Sequence, residues 1–162
     1  MSAALQKDRL GWIGLGRMGY AMAERLAMVK GDVRGYNRTR AKAEPLLEAG
    51  VRLVDHPSEL ADCDIVFTMV STADDLKSVL FGKDGLFSSS ERTPQVLVEL
   101  STISVEASAE IRELACARGT QMLVVPVSGN DVVARAGKLS VMASGPRPMF
   151  DLVAPYLACF GP

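Results

Sequence analysis

Histidine and cysteine are scarce in this sequence: there is one histidine, His56, and there are three cysteines, Cys63, Cys116 and Cys159. An odd number of widely spaced cysteines supports neither a disulfide framework nor a metal cluster, so they read as small apolar packing groups. A Ser/His/Asp triad or a histidine-built metal site would have to recruit His56, whose place beside Pro57 reads more simply as a turn or helix start. Clustered positive charge is missing too. The formal net charge is −1 and the basic residues are scattered, whereas nucleic acid and acidic membranes require Lys and Arg gathered on one face. No apolar run is long enough to span a bilayer, and the opening MSAALQKDRL lacks the hydrophobic stretch of a secretory leader. A cytoplasmic protein without a nucleic-acid or membrane partner is the expectation.

The 162 residues, 48% of them apolar, suit one globular domain over 1–162 with a sizeable core. The informative stretch is LGWIGLGRMGYAMAERLA, residues 10–27. Leu10, Trp12 and Ile13 read as a buried strand. Met18, Ala21, Met22, Leu26 and Val29 then recur at helical spacing, with the methionines as core packing. Between the two lie Gly14, Gly16 and Gly19. GxGxxG is weak evidence alone, but a strand handing over to a helix is the context that gives it chemistry. The chain must turn tightly, let a diphosphate approach bare backbone, and pack the helix against its strand. The helix start then offers free N–H groups and the positive end of its dipole to an anion.

Further strands are expected at residues 32–36, 51–54, 65–70, 95–100, 122–127 and 139–143. Helical segments are expected at 40–48, with Pro45 near its start, at 58–61, after Thr72, up to Gly119, and around Met149 to Leu157. Leu76, Val79 and Leu80 face the core in one helix, and Ile111, Leu114 and Ala115 in the next. Thr72 with Asp75 resembles a capping box with a shorter acid. Residues 82–94 and 128–138 read as polar, glycine-punctuated loops. The unbroken IVFTMV run suits a strand covered on both faces. Strands alternating with helices predict an α/β fold, a doubly wound mainly parallel sheet of the Rossmann type, with ligands at the carboxyl ends of the strands.

Such a site needs a polar group at the end of the second strand, roughly 20 residues past the glycines, to meet the adenosine ribose. Asn37 occupies that place. An acid there would repel a 2′-phosphate, whereas Asn37 is neutral, Arg38 can pair bidentately with phosphate, and Thr39 adds a hydroxyl. This chemistry favours NADP over NAD. The competing reading makes Arg38 and Arg40 a solvated helix start.

Four motifs, GLGRMGYAMA, NRT at 37–39, STIS at 101–104 and VPVSG at 125–129, together resemble the N-terminal domain of the β-hydroxyacid dehydrogenase family. That family includes 3-hydroxyisobutyrate dehydrogenase, tartronate and succinic semialdehyde reductases and 6-phosphogluconate dehydrogenase. The resemblance implies that Gly14, Leu15, Gly16, Arg17, Met18 and Gly19 hold the pyrophosphate, and that Asn37, Arg38 and Thr39 hold the adenosine phosphate. It puts Val70 and Ser71 beside the nicotinamide and Thr102 near both nicotinamide and reacting carbon. Ser128, Gly129 and Asn130 would bind a small-molecule carboxylate substrate, for which fixed donors on a loop are chemically apt.

The family usually reads SGG where this chain has Ser128, Gly129 and Asn130. Asn130 is expected to narrow the pocket and make it more polar, with left-handed backbone it tolerates well. Val105 replaces a frequent proline at little cost. The family's general acid/base is a lysine on a helix that leads into a helical domain, and it is expected beyond Pro162. Lys138 reads as an exposed turn, and Lys7, Lys30, Lys42, Lys77 and Lys83 have no claim to that role. No catalytic residue is therefore expected within this chain, and a homo-oligomer belongs to the full-length protein. The expected activity is hydride transfer between nicotinamide and a small 3-hydroxy acid or its semialdehyde or keto partner. An imine reductase, which shares the glycine and NRT motifs, and a non-catalytic dinucleotide sensor or scaffold are the alternatives.

Overall fold

Six short strands pair in parallel because each but the last is followed by a segment that crosses back over the sheet, which is the one way consecutive parallel strands connect. In the computed structural model, which describes residues 8–89 and 91–162, they are β1 (Leu10–Ile13), β2 (Val33–Tyr36), β3 (Val51–Leu53), β4 (Ile65–Thr68), β5 (Val96–Glu99) and β6 (Gln121–Val124). Their order is β3-β2-β1-β4-β5-β6. All five pairings are parallel, so the α/β doubly wound expectation holds. The strand order reverses between β1 and β4, and this switch point is where a ligand crevice opens at the carboxyl ends. Every position of β1, β4 and β5 is buried, as expected for central strands covered on both faces.

The period-two alternation of side chains divides the core. Trp12, Phe67, Val98 and Leu123 face one way, toward α1 (Arg17–Lys30) and α5 (Arg147–Leu157). Ile13, Val66, Leu97 and Met122 face the other, toward α2 (Ala73–Phe81) and α3 (Val105–Cys116). Trp12 stacks on Phe67 with ring centroids 5.2 Å apart, and Phe160 meets both edge-on. Such aromatic pairs add about 1 kcal/mol each beyond the area they bury. They anchor β1 and β4, the two strands that flank the switch point.

Several expectations shift. The helix expected over 40–48 is two 3-10 turns, Arg40–Lys42 and Glu44–Leu47, because Pro45 lacks an N–H and disfavours helical backbone in the residue before it. The strand expected over 122–127 stops at Val124. Pro126 has no donor for a ladder, and the chain resumes as β7 (Val127–Ser128), antiparallel to β8 (Ser140–Val141) in a separate small sheet. The supposed loop over 128–138 contains a short helix, α4 (Asp131–Arg135). Val29, counted in the helical spacing of α1, and Leu114, expected in the core, are 41% and 37% exposed. Each lies at the margin of its helix's apolar stripe, where spacing alone cannot settle the facing.

The reading of the cysteines as small packing groups holds for Cys63 and Cys159, which are buried, but not for Cys116, which is exposed at the end of α3. All three are free, and burial pushes the Cys63 thiol up to about 11, which leaves it unreactive. Among the described residues no group of His, Cys, Asp and Glu could hold a metal ion, and no helix is long and apolar enough to cross a membrane. Residues 1–7, which carry most of the stretch read for a leader and also Lys7, lie outside the described residues.

Candidate cofactor site

The glycine turn is built from three different constraints. Gly14 has φ +94°, and a Cβ there would stand 2.0 Å from the Met69 carbonyl oxygen. Only glycine fits that close crossing of two strand ends. A Cβ on Gly19 would fall 1.9 Å from the Gly14 carbonyl oxygen, so its absence lets α1 pack against the turn. Gly16 differs: a Cβ there would meet nothing within 4 Å. The middle glycine faces open space, which is the cradle a diphosphate requires.

Gly16 is also the N-cap of α1, without a side-chain cap and without an acid in the first turn. The first helical bond runs from the Tyr20 amide to the Gly16 carbonyl at 2.7 Å. The amides of Gly16, Arg17 and Met18 precede it and point outward from the helix end, where a bound anion can accept from them. Leu15 contributes differently. Its side chain is buried, and its amide donates to Asn37 Oδ1 at 3.0 Å.

Asn37 therefore braces the turn. Its carboxamide oxygen takes the Leu15 amide, while Nδ2 donates to the Thr39 carbonyl at 2.9 Å. Both ends of the group are engaged with backbone, which leaves Arg38 and Thr39 as the polar groups facing outward. Arg38 is 84% exposed and reaches across the cleft to Asp75 Oδ1 at 3.2 Å. Asp75 is itself oriented by Thr72, whose hydroxyl accepts from the Asp75 amide and donates to the Asp75 carboxylate. The expected capping box is thus half formed: the acid takes the Thr72 hydroxyl instead of the Thr72 amide.

These residues surround a cleft of about 240 Å³ whose wall includes Gly14, Gly16, Asn37, Arg38, Thr39, Lys42, Val70, Ser71 and Asp75. Val70 is held from behind, its amide donating to Ser101 Oγ at 2.9 Å. The sequence reading missed Lys42 and Asp75 as members of this wall. Lys42 lies only four residues past Arg38 in the same connection after β2; Asp75 was visible as the acid of the Thr72 cap in the first turn of α2, but nothing local tells that this turn faces the end of β2.

Other expected site residues lie elsewhere. Arg17 turns from the cleft to pair with Asp131 on α4 at 2.8 Å, and Met18 packs half-buried against the core. Thr102, exposed at the turn after β5, and the exposed Ser128, Gly129 and Asn130 do not line the cleft. Asn130 corrects the sequence reading. Its φ is −112°, an extended conformation and not a left-handed one. Its Oδ1 accepts the Val133 amide at 3.0 Å as the N-cap of α4, so the side chain is turned into its own helix.

A parallel sheet of this order, with bare amides at a glycine-capped helix and a basic rim of Arg38 and Lys42 at the switch point, defines a Rossmann dinucleotide-binding domain. The chain belongs to the family described as the NAD binding domain of 6-phosphogluconate dehydrogenase, whose model matches residues 9–162. It is 35% identical over 156 residues to the probable 3-hydroxyisobutyrate dehydrogenase-like 2, mitochondrial, of Arabidopsis thaliana, covering 96% of this chain and 52% of that protein. Among solved structures, 3-hydroxyisobutyrate dehydrogenase of Mycobacterium tuberculosis with L-serine superposes with a TM-score of 0.83 at 28% identity, over 95% of this chain and 52% of the other. An imine reductase of Myxococcus stipitatus in complex with NADP+ superposes at 0.82 and 25% identity, over 94% and 52%. The chain spans about half the length of the curated relatives it matches. It is an NAD(P)-binding domain of the kind found in hydroxyacid dehydrogenase-like oxidoreductases.

Proposed function

We propose that this chain, residues 1–162, binds NADP in preference to NAD within an oxidoreductase that moves hydride between nicotinamide and a small 3-hydroxy acid or its semialdehyde or keto acid. The observation that carries the cofactor choice is the end of β2. No acid stands there to accept from a ribose hydroxyl, Asn37 is taken up by the turn, and Arg38, Thr39 and Lys42 form a cationic, hydroxyl-bearing rim. Bound there, the cofactor would supply the hydride chemistry.

The chain's own groups bind and aim. The Gly16, Arg17 and Met18 amides, with Gly14 and Gly19 shaping the turn and Leu15 locking it, hold the diphosphate. Val70 and Ser71 border the nicotinamide, and Thr102 approaches it from the next strand end. Ser128, Gly129 and Asn130 take the substrate carboxylate through hydroxyl and backbone N–H, with Asn130 acting by capping α4 and so fixing the loop. The proton donor is assigned to a lysine in a helical domain outside these residues, since Lys138 is exposed beyond α4 and Lys42 belongs to the phosphate rim. Three free cysteines suit a reducing compartment, and the cytoplasm is the one we assign.

The imine reductase likeness supports a second reading with the same cofactor cleft. The two differ at Ser128 and Gly129, which suit a carboxylate and have no use for an uncharged imine. Titrating the chain with NADPH and NADH, beside the Arg38→Ala variant, tests the cofactor assignment. NADPH should bind roughly tenfold or more tightly than NADH, and Arg38→Ala should erase most of the difference. Equal affinities untouched by the variant overturn it.

A further inference from the structure

Glu99 is the one carboxylate among the described residues buried as a whole residue. It ends β5 opposite Thr68, the last residue of β4. Its partners are not cations. The Thr68 hydroxyl donates to Oε2 at 2.6 Å, and the Ser101 amide donates to Oε1. Ser101 in turn accepts the Val70 amide on its hydroxyl at 2.9 Å. The four residues close a ring: Thr68 and Val70 belong to the β4 end, Glu99 and Ser101 to the β5 end, and the carboxyl is the corner that joins them. Next along the chain from Val70 and Ser101 stand Ser71 and Thr102.

A buried carboxyl of this kind is retained only where its hydrogen bonds are made, because an unsatisfied one costs heavily. Burial pushes the Glu99 carboxyl above the usual carboxylate range, while hydrogen bonds from Ser101 and Thr68 pull it back. An apolar residue in the same strand would fill the space with no such penalty. What it would not do is satisfy the Ser101 amide, orient the Ser101 hydroxyl and thereby hold the Val70 amide.

We propose that Glu99 is a positioning residue for the nicotinamide half of the cleft, tying the turn that carries Ser71 to the turn that carries Thr102. The inference rests on the reading of the cleft as a dinucleotide site. It separates the two halves of that site: the ring of bonds does not include Gly14, Gly16, Asn37, Arg38 or Thr39. Loss of Glu99 therefore loosens the nicotinamide end and leaves the adenosine end as it was.

The test uses this chain with Glu99→Ala, Glu99→Asp and Glu99→Gln, read by amide hydrogen exchange without ligand and by binding of NADPH and of 2′,5′-ADP. In Glu99→Ala the Val70 and Ser101 amides should exchange about tenfold faster, and NADPH affinity should fall about tenfold. Affinity for 2′,5′-ADP, which carries only the adenosine half, should stay within about twofold. Should Glu99→Ala not fold, Glu99→Asp, one methylene short of reaching both donors, should show the same split at smaller size. Glu99→Gln should recover most of the loss, since its carbonyl accepts the Ser101 amide and its NH2 can donate to the Thr68 hydroxyl. Unchanged exchange at both amides, or equal losses of NADPH and 2′,5′-ADP, overturns the proposal. A wild-type chain that binds neither nucleotide overturns instead the cofactor reading, and the exchange data still decide whether Glu99 ties the two turns.

Discussion

The chain passes from strand to helix after β1 and again after β7, and the two junctions treat the helix start in opposite ways. After β1, Gly16 caps α1 with nothing, so the first amides stay free. After β7, Asn130 caps α4 with its own carboxamide, which occupies the Val133 amide. An uncapped start is a less stable helix end and a better anion seat. A capped start is a rigid end whose function must come from the loop before it. The same backbone need is met by a ligand in one place and by the protein in the other.

Substitutions at the first junction should produce the largest effects. Gly14→Ala forces a Cβ into the Met69 carbonyl at a left-handed φ, and should destabilise the chain by about 3 kcal/mol or more, read by chemical denaturation. Gly16→Ala is the matched control. Its φ of −71° suits any residue and its Cβ meets nothing, so stability should change by less than about 0.5 kcal/mol while NADPH affinity drops about tenfold. If both variants lose stability alike, the contrast between a structural and a ligand-facing glycine is gone.

At the second junction, Asn130→Ala should cost about 1 kcal/mol of stability by loss of the cap, with NADPH affinity unchanged. A change in NADPH affinity there would mean that the two junctions are coupled, through the Arg17–Asp131 pair for example. A smaller effect is expected at the cleft rim. Arg38 is held by Asp75 in an exposed ion pair, a class of contact worth about 0–1 kcal/mol. Asp75→Asn should therefore release Arg38 and tighten NADPH by about two- to fivefold, with NADH affected less. An unchanged NADPH affinity would show that Asp75 does not compete with the phosphate.

The last expectation concerns pH. Glu99 binds its proton more tightly in the folded chain than in the unfolded one. The stability it contributes is present in full below the ordinary carboxylate range and is lost as pH rises through the raised value. The melting temperature of wild type minus that of Glu99→Gln should thus fall as pH rises above the ordinary carboxylate range. A difference that rises with pH would reverse the assignment.

The first junction was legible in the sequence because its constraints fall on the backbone, and backbone constraints select glycine at fixed spacing. The parallel, doubly wound sheet followed from helices alternating with apolar runs, while the strand order came from the structure. The second junction was obscured by its size. A helix of five residues is too short to show a period, and the apolar run over 122–127 hid the break that Pro126 makes between two sheets. Asn37 was read as a ligand group because its place in the sequence does not reveal that its carboxamide braces the turn. Glu99 did have a signal. A single acid inside QVLVEL, a run otherwise fit for a strand covered on both faces, is a charge with nowhere to go unless neighbouring strand ends supply donors.

The rims of the sheet limit how copies of this chain can meet. Outermost on one side, β3 is three residues long and carries Arg52 facing solvent, paired with Asp32. On the other side Ser144 trades two backbone bonds with Val124, so the chain folds over its own last rung. Neither border invites a strand from a second molecule. Self-association by continuing the sheet from one copy to the next is thereby disfavoured.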